Sequence, residues 1–271
     1  MADKRVLTIQ DISCVGQCSL TVALPIISVC GVETCILPSA VLSTHTGGFS
    51  GYTFRDLTDD IPKIAEHWKK ENISFDAVYT GYLGSVKQID YVMDIFESSN
   101  TLRIVDPVMG DRGSLYAGFN EDFVKAMKNL CSKADIIIPN ITEACFMTGI
   151  AYREEYDSTY IDLVIEELRK FTNGTIVLTG VSYNDLTTGV IVCQGSNISY
   201  YQHKKLEGGC HGTGDIYASA FTGALLNGKS ITDAAKIAAD FTLLCIENTA
   251  SDHWYGAQFE KNLPTLFQML K

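Results

Sequence analysis

The stretch DIIIPN at residues 135–140 places three isoleucines in a row between an aspartate and Pro139-Asn140. β-Branched residues without polar alternation predict a strand covered on both faces, as in parallel sheets. Similar short runs lie on either side: RVLTIQ (5–10), TCILPSAVLS (34–43), DAVYTGYL (76–83), LRIVDP (102–107) and TIVLTG (175–180). Helical patterns separate them over Ser19–Cys30 (distorted at Pro25), Leu57–Glu71, 85–97, 121–131, a short segment from Thr142, and 158–171. In the second of these, Ile61, Ile64, Ala65 and Trp68 share one face. TGVIVCQ (188–194) and NISYYQHK (197–204) read as an antiparallel pair, and helices fill the chain from Asp215 onward. The βαβα rhythm predicts an α/β fold with a mostly parallel central sheet flanked by helices on both faces.

The strand ends carry polar residues. Asp11, Asp106, Asn140 and Thr179-Gly180 each stand where a run is expected to finish. Open α/β sheets bind ligands at the carboxyl edge of their strands, so these groups are expected to converge on one rim.

Length alone does not separate one large domain from two small ones, but no linker, repeat or low-complexity tract interrupts the 271 residues. One domain over 1–271 is expected. A formal net charge of −11 argues against nucleic acid or an anionic membrane as the main partner, though not against a phosphate ligand. The nine cysteines include no CxxC pair, which predicts reduced, mostly buried thiols and a cytoplasmic location. The opening MADKRVLTIQD holds no apolar run of signal or membrane-span length.

EGGCHGTGDIYASAFTGAL (207–225) sets glycines, Thr213 and Asp215 before an apolar helix. A helix start has unsatisfied N–H groups and a positive dipole end. Gly212, Thr213 and Gly214 could present three amides to an anion, whereas the plain alternative makes Asp215 a simple N-cap. DPVMGD (106–111) and NITEA (140–144) add Asp106, Asp111, Asn140 and Glu143, the oxygen ligands a hydrated magnesium ion uses. Each also has a plain reading, Asp106 as a turn residue before Pro107 and Glu143 as a first-turn helix acid.

In the order GYLGS (81–85), DPVMGD, IIPNITEA (137–144), VLTG (177–180) and GTGD (212–215), the chain resembles the ribokinase-like superfamily, with its three-layer sandwich. STHTGG (43–48) is similar to a segment of its pyridoxal (vitamin B6) kinase branch. The resemblance runs from near Arg5 to near Ala250. It implies ATP-dependent phosphorylation of the 5′-hydroxymethyl group of pyridoxal, pyridoxine or pyridoxamine. Asp215 would be the base, and Gly212, Thr213 and Gly214 the anion hole. Asp106 and Glu143 would organise Mg2+ through water. Asn140, Thr179 and Gly180 would lie along ATP, with Asp111 and Tyr116 covering the reacting ends. Asp11, Ser13, His45, Thr46 and Tyr82 would address the vitamin ring. The resemblance also implies a homodimer and leaves a monovalent cation such as K+ open.

The first strand departs from the branch. Better-known members read Gln-Ser-His where this chain reads QDISCVG, which puts Asp11 in the serine's place and leaves Ser13 two residues on. An ionised aspartate accepts a hydrogen bond but donates none. The hydroxymethylpyrimidine kinases of thiamin synthesis share the fold, but their Gly-Ser-Asp-x-Ser-Gly-Gly-Ala-Gly run is absent here. A non-catalytic binder of nucleotide or pyridoxal phosphate would not need a base beside an anion hole. One subgroup of B6 kinases uses a cysteine nucleophile; with Asp215 intact and Cys210 outside the motif, the ordinary mechanism is expected.

Overall fold

The structure, a computed structural model, describes residues 4–206 and 210–271; Glu207–Gly209 of the glycine-rich stretch lie outside it. The chain runs β1 (Arg5–Ser13), α1 (Leu20–Val29), β2 (Glu33–Leu42), β3 (Phe54–Asp56), α2 (Ile61–Lys70), β4 (Ala77–Thr80), α3 (Val86–Ser98), β5 (Leu102–Val105), β6 (Gly110–Asp111), β7 (Ser114–Leu115), α4 (Glu121–Lys133), β8 (Ile136–Ile137), α5 (Ile141–Thr148), α6 (Ser158–Arg169), β9 (Thr175–Val181), β10 (Thr187–Gln194), β11 (Asn197–Lys204), α7 (Thr213–Leu226), α8 (Ile231–Glu247) and α9 (Leu263–Met269). The nine-stranded sheet has the order β11-β10-β9-β8-β5-β4-β1-β2-β3. Its interior pairs, from β9 across to β2, are parallel. The antiparallel pairs lie at the two ends, β3 on β2 and β10-β11 beyond β9.

Alternation along each strand divides the core between the two sheet faces. Val6, Tyr79, Ile104, Ile136 and Val177 pack with Ile26, Phe221 and Phe241 from α1, α7 and α8. Leu7, Val78, Val105, Ile137 and Ile176 pack on the other side with Val92, Leu130, Ala144 and Ile161 from α3 to α6. The neighbouring strand residues therefore serve opposite helical layers. This is the three-layer α/β sandwich expected from the uninterrupted apolar runs.

Some boundaries differ. α2 starts at Ile61, with Pro62 in its first turn, because Leu57–Asp60 forms a turn first; only Ile61 of its apolar face is fully buried. α1 continues through Pro25. The short strands β3, β6 and β7 carry too little apolar pattern to be read in advance. Asp11 and Thr179-Gly180 lie inside β1 and β9 and not beyond their ends. β1 is irregular there: Gln10 pairs with Pro38 but Ile12 with Val41, which leaves β2 an extra residue opposite Asp11. Such a bulge re-aims a side chain, and this one marks where β1 stops being core and becomes rim.

Candidate active site

Gly212 is the N-cap of α7, in the left-handed region at φ 78°. A Cβ on it would come 1.7 Å from the Gln17 carbonyl oxygen, so only glycine allows this approach to the β1–α1 loop. No side chain caps the helix. Asp215 is therefore the third residue of α7 and not its N-cap, which sets aside the plain reading of that carboxylate. Gly214 faces open space, where an added Cβ would meet nothing within 4 Å. The helix start is thus bare backbone on its outer side, the arrangement that accommodates an anion.

Asp215 stands in the first turn of α7, and the Asp106 carboxylate feels the charges of both Glu143 and Asp215. Burial, partly offset by the Ser19 amide and reinforced by the Asp11 charge, pushes Asp215 up to about 7. Asp106 is buried and raised well above the carboxylate range, first by desolvation and then by the charges of Glu143 and Asp215. Burial also raises Glu143, to about 8, against the pull of backbone amides at Asn140, Met109 and Gly110. None of the three takes part in an ion pair among the described residues. Carboxylates crowded this way without a protein cation suit a bound divalent ion.

The donor set also says which kind of ion fits. Among the described residues no three His, Cys, Asp or Glu side chains stand close enough to form a direct metal cage. A hydrated magnesium ion, which keeps several waters and takes only one or two carboxylates plus phosphate oxygens, fits the Asp106 and Glu143 pair.

Asn140 and Glu143 are locked by a reciprocal cap on α5. Asn140 Oδ1 accepts the Glu143 amide at 2.9 Å, and Glu143 Oε2 accepts the Asn140 amide at 2.9 Å. Glu143 Oε1 takes the Met109 amide at 3.2 Å, and Asn140 Nδ2 donates to the Gly110 carbonyl at 2.9 Å. The plain reading of Glu143 as a first-turn acid is thus correct as structure, and the same bonds hold its carboxylate beside Asp106. The β6-β7 hairpin carries the exposed Asp111 and is pinned to α5 by Gly113 N–H donating to Thr142 Oγ1 at 3.0 Å. Tyr116 follows β7, 43% exposed, with its amide held by the Met109 carbonyl at 2.9 Å.

A cavity of about 790 Å³ opens beside the α7 start. Asp111, Asn140, Thr179, Gly180 and Thr213 line it, so the structure unites these five sequence candidates. It also brings in residues that the sequence did not single out. Arg112, Lys204 and Lys205 supply cations, and Leu243 with Ile246 supply an apolar wall. Lys204 ends a predicted strand, Lys205 follows it, and Leu243 with Ile246 fall in a region read only as helical, so nothing local marked them. Asp106, Glu143 and Asp215 do not line this cavity; Asp106 and Glu143 are buried and Asp215 is half-buried.

The ring-side candidates form a second group. Asp11 is buried, accepts the Ser13 hydroxyl at 3.0 Å, and is raised chiefly by desolvation. Tyr82 is half-buried, 5.7 Å from Phe119 between ring centroids, and burial pushes its phenol to about 12. Thr46 is exposed. His45 has no ring nitrogen to spare: Nδ1 accepts the Gly47 amide at 3.0 Å and Nε2 donates to the Tyr255 carbonyl at 2.7 Å. In this conformation it shapes the STHTGG loop and offers a ligand its ring alone. Cys210 lines the large cavity, but burial raises its thiol, which disfavours the thiolate a nucleophile needs.

The sequence profile of the phosphomethylpyrimidine kinase family matches residues 27–257. A Bacteroides thetaiotaomicron protein assigned as a phosphomethylpyrimidine kinase, crystallised with pyridoxal, superposes with a TM-score of 0.91 at 36% identity, over 97% of this chain and 96% of that one. Pyridoxal kinase from Lactobacillus plantarum superposes with a TM-score of 0.92 at 30% identity, over 98% of this chain and 97% of that one. The pyridoxal kinase of Dictyostelium discoideum is 28% identical over 264 residues, covering 90% of this chain and 82% of its own length.

Proposed function

The chain belongs to the phosphomethylpyrimidine kinase family, and from that premise we propose that it phosphorylates the 5′-hydroxymethyl group of pyridoxal, pyridoxine or pyridoxamine at the expense of ATP. The fold is the ribokinase-like three-layer sandwich, and residues 1–271 act as one kinase domain. The observation that carries this reading is the bare N-terminus of α7 with Asp215 in its first turn. Pyridoxal is favoured over the pyrimidine because a relative at 36% identity was crystallised with pyridoxal and another at 30% identity is a pyridoxal kinase.

The residues divide the chemistry between them. The 790 Å³ cavity takes ATP, with Leu243 and Ile246 against the base, Lys204, Lys205 and Arg112 toward the phosphates, and Asn140, Thr179 and Gly180 along the chain of phosphates. Asp11, Ser13, Thr46 and Tyr82 face the vitamin ring, with His45 shaping the wall. Asp215 accepts the proton of the 5′-hydroxyl as its oxygen bonds to the γ-phosphorus, and the bond to the ADP oxygen breaks. A carboxylate with a pKa near 7 suits that task, being deprotonated enough to accept and basic enough to hold the proton. Gly212, Thr213 and Gly214 donate amides to the oxygens of the group in transit. Asp106 and Glu143 would hold Mg2+ through water, and the ion would neutralise phosphate charge. A monovalent cation such as K+ belongs to the same expectation.

All nine cysteines are free, which suits a reducing cytoplasm, and no helix of the described residues is long and apolar enough to cross a membrane. Homodimerisation is part of the reading and is checked by sedimentation. The deciding experiment measures ATP-dependent ADP release with pyridoxal, pyridoxine, pyridoxamine and hydroxymethylpyrimidine in parallel. Turnover of the three vitamers upholds the reading. Turnover of the pyrimidine alone transfers the assignment to a thiamin-pathway kinase, and stoichiometric binding without turnover makes the chain a carrier.

A further inference from the structure

Strand β9 loses its regular pairing where it reaches the cavity. Thr179 pairs with Val190 of β10 and Val181 with Gly189, which leaves Gly180 as an extra residue, a bulge in the left-handed region at φ 73°. Thr179 is still tied to the chain after β8, its amide donating to the Pro139 carbonyl at 2.9 Å. Past it, two phenols hold the main chain. Tyr156, between α5 and α6, accepts the Ser182 amide at 2.9 Å and donates to the Gly180 carbonyl at 3.4 Å, so one hydroxyl spans the bulge. Tyr200 of β11 donates to the Val181 carbonyl at 3.1 Å.

The segment that carries Tyr156 is itself anchored. The buried Tyr160 of α6 donates its hydroxyl to the Ala151 carbonyl at 2.9 Å, and the Tyr156 and Tyr160 rings stack with centroids 5.5 Å apart. Tyr152 lies so close to the β6-β7 hairpin that a Cβ on Gly113 would come 2.6 Å from its ring. The segment therefore reaches from the hairpin that carries Asp111 and Arg112 to the bulge that carries Gly180. Tyr152 and Tyr156 line the cavity of about 790 Å³, as do Asp111, Arg112, Gly180 and Ser182.

We infer that Tyr156 is a positioning residue for the nucleotide, its hydroxyl clasping the Gly180 bulge in the conformation that presents Thr179 and Gly180 to the phosphates. Glycine is the most conformationally permissive residue, so a bulge built on it has little order of its own. Without an outside bond the ligand would have to order that stretch on binding, which lowers affinity. Tyr156 supplies the order before the nucleotide arrives. The ligand is the nucleotide of the proposed kinase reading, whereas the clasp itself does not depend on that reading.

Tyr156→Phe removes both hydrogen bonds and keeps the ring beside Tyr160, which separates the clasp from packing. In the nucleotide-free protein the Ser182 amide should exchange with solvent about tenfold faster in the variant, the worth of one hydrogen bond, while the Val177 amide inside β9 keeps its rate. The Kd for ADP and the KM for ATP should rise about three- to tenfold, while the KM for whichever of the four candidate alcohols is phosphorylated stays within about twofold. An unchanged Ser182 rate overturns the clasp. Faster exchange with unchanged ADP affinity, or an equal rise in both KM values, overturns the positioning role. Failure of ADP to bind the wild-type protein ends the kinase reading and the nucleotide role with it, and the Ser182 rate still decides the clasp by itself.

Discussion

Asn140 and Glu143 hold each other: the Asn140 side chain accepts the Glu143 amide and the Glu143 carboxylate accepts the Asn140 amide, each at 2.9 Å. One residue is a candidate for the phosphates and the other for magnesium. A single helix cap therefore sets the distance between two parts of the site, and structure and chemistry can be separated by choosing the replacement. Glu143→Gln keeps the reciprocal cap, since glutamine serves at that position, but removes the charge. It should melt near the wild type while losing about 10–100-fold in turnover at limiting magnesium. Glu143→Ala should show the same loss of activity and about 1 kcal/mol less stability as well. Melting curves beside a magnesium titration distinguish the two variants.

Asp215→Asn should remain folded and lose about 10²–10⁴ in kcat, the usual contribution of a positioned base. In the wild type, kcat/KM should climb with pH and level off above about 7, because only deprotonated Asp215 accepts the hydroxyl proton. A pH–rate profile flat between 5 and 8 would remove Asp215 from the role of base.

The buried acids also predict how the metal-free protein responds to pH. Folded Asp215 keeps its proton up to about 7, against an ordinary value of 3.8, so it favours folding fully below that value and loses the contribution as pH rises to about 7. Glu143, raised to about 8 from 4.5, acts in the same direction over a window ending one unit higher. Stability without metal should thus decline from acidic pH toward pH 8, and Asp215→Asn should flatten part of that slope. Magnesium with ADP should restore more stability at pH 8 than at pH 6. Melting temperatures across that range, with and without the pair, provide the check.

Gly212 and Gly214 should respond differently to alanine. At Gly212 the left-handed φ of 78° and the 1.7 Å approach to the Gln17 carbonyl leave no room for a methyl group, so Gly212→Ala should cost more than about 1 kcal/mol and displace the β1–α1 loop. At Gly214 the space is open and the residue is helical, so alanine should leave the melting temperature equal or higher. Its methyl group would project where the phosphoryl oxygens approach, and kcat should fall. Retention of full activity in Gly214→Ala would argue against an anion hole at this helix start.

Much of the fold was legible in local pattern. DIIIPN, TIVLTG and LRIVDP are too continuously apolar for a sheet with one wet face, and their alternating side chains do enter two separate cores. The boundaries that went astray are those decided by single turns, as at Leu57–Asp60 before α2, or by strands of two or three residues such as β3, β6 and β7. For the site, the glycine spacing around Asp215 and the acids after LRIV and III could be read directly, because helix starts and strand ends have fixed chemistry.

Other features had no local signature. Arg112, Lys204, Leu243 and Ile246 come from a hairpin, an edge strand and a helix far apart in sequence, and only the closed sandwich makes them walls of one cavity. His45 could be read as a hydrogen-bonding candidate, yet both its nitrogens are taken by backbone at Gly47 and Tyr255. That Asp215 is the third residue of its helix and not the cap depends on Gly212 meeting Gln17 across the fold. Local sequence was enough to set the layers and the chemical character of the rim, since burial pattern and helix-start chemistry are properties of neighbouring residues. Which groups share a cavity and which carboxylates raise one another were settled only on folding, because charge and burial depend on residues that are distant along the chain.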